Sequence, residues 1–224
     1  MTLLLKSEDL LVIYKSSINL CSIPDEWQMS DSAIIPKPGK DDYTKPKSFR
    51  VITLSSSILK LLERLILWHM KNDLKIETAM AKNQYGFKKG HSTDAAILKL
   101  VNKIETALKN GNVALGVFLD IEGAFDNIPF IAIKEALEST LAKGNISNWI
   151  LHFISTRKLI LNLNNEHIIF RILAGCPQGG VLSPFLWNLV LNDLLVKFGN
   201  SNILQAFADD LVIILAGLLL GRGW

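Results

Sequence analysis

Apolar positions along the chain recur with two different periods. Over residues 56–74 they fall at 58, 61, 62, 65 and 66, the three-to-four spacing of an amphipathic helix. Residues 94–109 repeat that spacing, opened by Ser92 or Thr93 and stopped at Gly111. Residues 113–119 differ: an unbroken apolar run that suits a strand buried on both faces, ending at Asp120. Helices are predicted over 131–143, ended by Gly144, and over 146–156. Residues 159–163 and 167–172 read as the strands of a hairpin turning at Asn164-Asn165. A glycine-rich stretch over 174–185 then enters a helix with Ser183 as N-cap and Pro184 at the first helical position, running to about Lys197 with Gly199 as the stop. Two short apolar strands, 206–208 and 211–215, flank Asp209-Asp210. Helices and strands alternate without internal repeat or low-complexity linker.

Composition narrows this picture. With 224 residues, 49% of them hydrophobic and 20% charged, the chain can bury a substantial core as one large domain or two associated subdomains. Cys21 and Cys176 are too few and too far apart for a disulfide framework or a zinc site, so a reducing compartment, nucleus or cytoplasm, is expected rather than secretion. The N-terminus meets Lys6, Glu8 and Asp9 too early for a signal peptide. The apolar run 211–221 is shorter than the roughly 20 residues that span a bilayer, so no membrane partner is expected.

The net charge of +3 hides an asymmetry. Residues 1–110 hold 17 basic against 12 acidic side chains, and residues 111–224 hold 7 against 9. A basic first half suits a nucleic-acid backbone or an ordinary solvated surface. Lys88 and Lys89, between Gly86 and Gly90, are the pair placed to track phosphates.

Asp209 and Asp210 sit within an apolar context where an unpaired buried carboxylate would be costly. A solvated hairpin tip is one reading, since aspartate is common in turns. The other is a divalent cation site. Asp120, a third carboxylate at a strand end, lies 89 residues upstream of Asp209 and reaches it only through a folded sheet. Three converging carboxylates suit two hard cations about 3.5–4 Å apart, the arrangement of phosphoryl and nucleotidyl transfer. Between the acidic strands, the glycines at 175, 179 and 180 let backbone approach a planar ligand, and Gln178 can bond a base edge or sugar; a tight connection is the bland alternative.

Three segments, VFLDIEGAFDNI (117–128), GCPQGGVLSPFLWNLVLNDLL (175–195) and AFADDLVIIL (206–215), resemble the palm motifs of reverse transcriptases in order and spacing, most of all those of non-LTR retrotransposons. IIPKPGK (34–40), FRVITLSSSILKLLERLI (49–66) and NQYGFKKGHSTDAAI (83–97) resemble the fingers motifs of the same group. The resemblance covers about residues 18–215 and implies an α+β fold of the right-hand polymerase type, with fingers near 1–110 and palm near 111–215. It implies template-directed DNA synthesis on RNA, with an RNA template, a DNA primer and dNTPs as partners. Asp120, Asp209 and Asp210 match the carboxylates that hold two Mg²⁺ ions, with Mn²⁺ as the alternative. Phe125 matches the bulky residue that excludes a ribose 2′-hydroxyl, and Gly123 and Ala124 the backbone beside the triphosphate. Gln178 and Gly179 match contacts to nucleotide and template, Arg50 the fingers arginine on the triphosphate, and Lys37 a second cation there.

Departures are few. Val51 stands where the family favours proline, and Phe207 where it favours tyrosine. Residues 216–224 resemble nothing in the family, whose palm continues into a thumb, so the resemblance implies a thumbless, truncated fragment of a mobile-element polyprotein with weak, salt-sensitive hold on nucleic acid. A two-metal nuclease would share the carboxylates without needing Phe125 or the Gln178 loop, and an inert remnant that folds or weakly binds nucleic acid would keep the pattern without the chemistry.

Overall fold

The computed structural model describes residues 7–163, 166–199 and 204–217. In chain order its elements are α1 (Ser7–Asn19), α2 (Asp25–Gln28), β1 (Met29–Pro36), a 3-10 turn (Pro46–Ser48), β2 (Phe49–Leu54), α3 (Ser57–Asn72), α4 (Ile76–Ala79), α5 (Thr93–Lys109) and β3 (Val113–Asp120). They continue with α6 (Phe130–Glu138), α7 (Asn145–Thr156), β4 (Lys158–Leu163), β5 (Glu166–Arg171), α8 (Ser183–Gly199), β6 (Leu204–Phe207) and β7 (Asp210–Gly217). The chain divides into two compact units: 1–78 with 125–187, and 79–124 with 188–224.

The first unit contains a four-stranded sheet ordered β2-β1-β4-β5. Its outer pairs are antiparallel, whereas β1 and β4 run parallel through Met29–Asp31 and Lys158–Ile160. The predicted hairpin is present as β4 and β5; its turn, Asn164-Asn165, lies outside the described residues. Trp149 of α7 is fully buried, stacks on Phe153 and donates its indole N–H to Ser17 Oγ of α1 at 2.9 Å. Helix α6 ends at Glu138, short of the expected 143. There the hydroxyls of Ser139 and Thr140 donate to the carbonyls of Ala136 and Leu137, and such local bonds compete with helical continuation.

Helix α3 starts where predicted, with Ser56 Oγ accepting the N–H of Leu59 at 3.2 Å. Its buried face is rotated from the expected stripe: Leu59, Leu62, Glu63, Ile66 and Met70 are inside, while Leu61 and Leu65 are exposed. A carboxylate therefore replaces an apolar residue on the inward face. Glu63 Oε2 accepts the backbone N–H groups of Val181 and Leu182, at 2.8 and 3.0 Å, just ahead of α8. The N-terminus of that helix is thus capped by Glu63 and not, as expected, by Ser183. Ser183 is the first residue of α8, and its hydroxyl donates to the carbonyl of Pro177 at 2.8 Å.

The second unit holds a three-stranded antiparallel sheet ordered β3-β7-β6. Ser92 Oγ caps α5 by accepting the Ala95 N–H at 3.1 Å. Leu204, Ala206, Leu211, Val212 and Ile214 are buried, as is Ala96 of α5. Strand β3 departs from expectation: it is apolar without being buried, and Phe118 is 72% exposed. It lies at the edge of the described sheet, where β7 is its one strand neighbour, and a cavity of about 460 Å³ separates part of the sheet from α5. Of the expected atypical tail at 216–224, residues 218–224 lie outside the described residues.

Burial raises the Glu63 carboxyl above its ordinary value of 4.5, opposed by the two backbone donors and by Lys60. A raised folded-state value means that the folded chain holds more protons across that window. The contribution is therefore greatest below the unfolded value and is lost as pH rises through the folded one. Melting from about pH 4 to 7 should show the parent losing ground to Glu63→Gln as pH rises; a constant difference would remove Glu63 as the titrating group. Glu63→Leu leaves both donors unpaired and should cost about 1–3 kcal/mol for each in a denaturation measurement.

Candidate functional site

The acidic end of the second sheet is built by register. Pairing of β3 with β7 runs from Val113↔Gly217 to Asp120↔Asp210, so two carboxylates face each other at the last position. Pairing of β6 with β7 ends at Phe207↔Asp210, leaving Ala208 and Asp209 as a two-residue loop. Ala208 has φ +55°, the left-handed conformation that tight hairpin loops demand.

Asp209 is half-buried while Asp120 and Asp210 are exposed, so the acids stand at the open end of the apolar strands rather than within them. Burial, then Asp209, then Asp120 raise the Asp210 carboxyl above the ordinary range. Two like charges therefore act on the third carboxyl. Among the described residues no group of three or more His, Cys, Asp or Glu is arranged as a ready metal cage. The donors nevertheless fit a hard divalent cation: all are carboxylate oxygens, and a cation would relieve the mutual repulsion that Asp210 registers. The cavity of about 460 Å³ opens beside them, lined by Ala96 and Leu100 of α5 and by Phe118, Asp120, Phe207 and Asp210.

The first unit holds Lys37, Arg50, Phe125, Gln178 and Gly179, the last two in the loop over 174–182. Gln178 Nε2 donates to Asp126 Oδ2 at 2.7 Å, and its carbonyl accepts the N–H of Thr53 in β2, also at 2.7 Å. Gly179 has φ +104°, and a Cβ there would lie 2.8 Å from the Thr53 carbonyl oxygen, so the loop lies flat on β2 because this residue has no side chain. Strand β2 also carries Arg50, exposed and paired in register with Ile35. Lys37 follows β1 at the same end of that strand pair, its ammonium donating to the Lys47 carbonyl at 3.0 Å. Phe125 packs against Trp187 with ring centroids 6.1 Å apart, and its carbonyl accepts the Cys176 N–H at 2.7 Å.

Two charged residues that the sequence patterns do not reveal hold this loop at opposite ends. At its start, Arg157 is buried and donates through Nη1 and Nη2 to the carbonyls of Gly175 and Ala174, at 2.9 and 3.2 Å. Burial lowers its guanidinium to about 10, against the opposing influence of Cys176 and Asp126, so it remains charged at neutral pH. At its end stands Glu63 on the Val181 and Leu182 N–H groups. Burial pushes the Cys176 thiol up to about 12, which makes it an inert core group. A cavity of about 220 Å³ is lined by Val51, Thr53, Asp126, Arg157 and Gln178 among others.

The structure thus brings Asp120, Asp209 and Asp210 together in one unit, which also contains Gly123, Ala124, Lys88 and Lys89. It brings Lys37, Arg50, Phe125, Gln178 and Gly179 together in the other. Gly123 has φ +65° and Ala124 is buried. Lys88 is half-buried with Nζ on the Ala81 carbonyl at 3.0 Å, whereas Lys89 is exposed.

Residues 35–218 match the family described as reverse transcriptase (RNA-dependent DNA polymerase). The chain belongs to the reverse transcriptase family. Among curated relatives, it is 28% identical over 212 residues to the probable RNA-directed DNA polymerase from transposon BS of Drosophila melanogaster, covering 92% of this chain and 23% of that protein. It is 29% identical to the probable RNA-directed DNA polymerase from transposon X-element of the same species, with 90% and 22% covered. It is also 28% identical to the Pol polyprotein from type-1 retrotransposable element R2 of Popillia japonica, with 86% and 28% covered. The chain thus spans about a quarter of the length of these relatives. Among solved structures, telomerase from Candida tropicalis with a fragment of telomeric RNA superposes with a TM-score of 0.63 at 14% identity, covering 87% of this chain and 37% of that one. The fold is the right-hand polymerase fold. Reverse transcriptases use divalent metal ions.

Like-charge repulsion at the acidic end has a measurable consequence. Asp209→Asn keeps the side-chain shape and removes one of the two charges that raise the Asp210 carboxyl. In metal-free buffer near pH 7 this variant should melt no lower than its parent, and titration of Asp210 followed by NMR should move toward the ordinary range. An unmoved Asp210 would show that the two side chains do not interact.

Proposed function

We propose that this chain carries the nucleotidyl-transfer site of an RNA-directed DNA polymerase of the non-LTR retrotransposon type, which extends a DNA primer 3′-hydroxyl from dNTPs on an RNA template. The observation that carries the reading is the Asp120↔Asp210 register pair with Asp209 in the adjoining turn. Asp120, Asp209 and Asp210 would hold two Mg²⁺ ions, or Mn²⁺ in their place. Bound there, such cations lower the pKa of an attacking hydroxyl and neutralise a departing pyrophosphate. The register sets Asp120 opposite Asp210 before any ligand arrives.

In this reading Gln178 and Gly179 contact the nucleotide and template, and the clip of Arg157 and Glu63 keeps that loop from collapsing. Arg50 and Lys37 serve the triphosphate, with Gly123 and Ala124 lending backbone beside it. Phe125, braced by Trp187, fills the space a ribose 2′-hydroxyl would need. Lys88 and Lys89 track the nucleic-acid backbone. We place the fingers near 1–110 and the palm near 111–215, and the activity inside the cell, in nucleus or cytoplasm.

Single-nucleotide addition to a DNA primer on an RNA template with Mg²⁺ tests the assignment. Product should form with the parent and be lost in Asp120→Asn and Asp209→Asn, both of which remain folded; retained addition by either would sink the carboxylate roles. In the same assay Phe125→Val should raise ribonucleotide relative to deoxyribonucleotide incorporation about ten- to a hundredfold, the rate equivalent of relieving roughly 1–3 kcal/mol of overpacking. An unchanged ratio would reduce Phe125 to a packing residue.

A further inference from the structure

The turn that carries Asp209 is walled by another stretch of the same unit. Residues 83–86 run beside β6: the Tyr85 N–H donates to the Ala206 carbonyl and the Ala206 N–H to the Asn83 carbonyl, both at 2.9 Å, and Gln84 forms a parallel bridge with Ala206. Asn83 Nδ2 also donates to the Leu204 carbonyl at 2.6 Å, fastening the start of the strand. This course brings Gly86 against Ala208. A Cβ on Gly86 would lie 2.1 Å from the Ala208 nitrogen and 2.7 Å from its Cα. The obstruction is backbone, which cannot swing aside as a flexible side chain can.

Gly86 is itself locked by two buried amides. Its N–H donates to Gln84 Oε1 at 3.0 Å, and its carbonyl accepts from Asn188 Nδ2 at 2.9 Å. Gln84 Nε2 closes the ring by donating to Asn188 Oδ1 at 3.0 Å. Gln84 and Asn188 are 2% and 4% exposed, so these bonds form in a low-dielectric setting where a fully satisfied network rigidifies its surroundings. The network encloses one glycine, and that glycine abuts the residue before Asp209.

We propose that Gly86, held by Gln84 and Asn188, is a positioning residue for the carboxylate site: it sets the path of the Ala208-Asp209 turn and thereby the separation of Asp209 from Asp120 and Asp210. The proposal rests on reading those carboxylates as cation ligands. A side chain at Gly86 displaces the Ala208 backbone and carries Asp209 with it. Loss of the Gln84 amide frees Gly86 without adding bulk, so the turn loses its wall and gains mobility.

Binding of Mn²⁺ alone to the 224-residue chain, followed by electron paramagnetic resonance, separates the outcomes. Supporting residues of metal sites typically change affinity about ten- to a hundredfold, and Gly86→Ala should weaken Mn²⁺ binding by that order while far-UV circular dichroism stays at the parent's level. Gln84→Met, which retains length and cannot clash, should weaken it in the same direction. If Gly86→Ala does not fold, Gln84→Met decides alone. Lower melting temperatures with unchanged Mn²⁺ affinity in the folded variants would reduce the network to a packing device and overturn the proposal. Asp209→Asn is the control: affinity unchanged in that variant would refute the cation reading itself, whereas affinity lost there and kept in Gln84→Met would refute only the positioning role.

Discussion

Strand register is the constraint on which the acidic site depends. Side chains alternate across a sheet, so a slip of one residue between β3 and β7 would send Asp120 to the face opposite Asp210. The resistance to slipping comes from elsewhere in the ladder. Leu211, Val212 and Ile214 are buried, and β6 is tied at Leu204 and Ala206 by the segment around Asn83 and Tyr85. Hydrophobic burial along the strands thus opposes the repulsion at their tip, and the acids are held where their own electrostatics would not hold them.

The Gln178 loop uses charge in the reverse sense. An irregular loop has backbone donors and acceptors that no ladder satisfies, and buried ones must find partners. Arg157 supplies donors to two carbonyls, and Glu63 supplies an acceptor to two N–H groups. Charged partners make stronger bonds than neutral ones, at the cost of desolvating each charge. That cost appears as the lowered proton affinity of Arg157 and the raised one of Glu63, both caused first by burial.

What could be read in the sequence was whatever depends on neighbours along the chain. The serine cap at 92, the β4–β5 hairpin strands and the acidic hairpin all follow from local periodicity and turn chemistry. The rotated face of α3 was illegible because its inward carboxylate answers to backbone 118 and 119 residues away. Arg157 gave no signal either, since a guanidinium that binds two carbonyls needs no motif around it. The β1–β4 pairing joins residues 29–31 to 158–160 without a pattern that could announce it. For β3 the apolar run was correctly a strand and wrongly a buried one, because composition reports what a residue prefers and topology decides whether it is covered. Asp120, Asp209 and Asp210 stood out through their apolar flanks, although the structure puts them at the solvent end of those strands.

The division of the chain carries a consequence for how such a segment can change over generations. Each compact unit is stitched from two separated stretches, with joins at 78/79, 124/125 and 187/188. The second join falls between Ala124 and Phe125, five residues past Asp120, so a single short motif contributes to both units. Neither unit is a cassette. A crossover anywhere between residues 79 and 187 leaves each unit assembled from two sources.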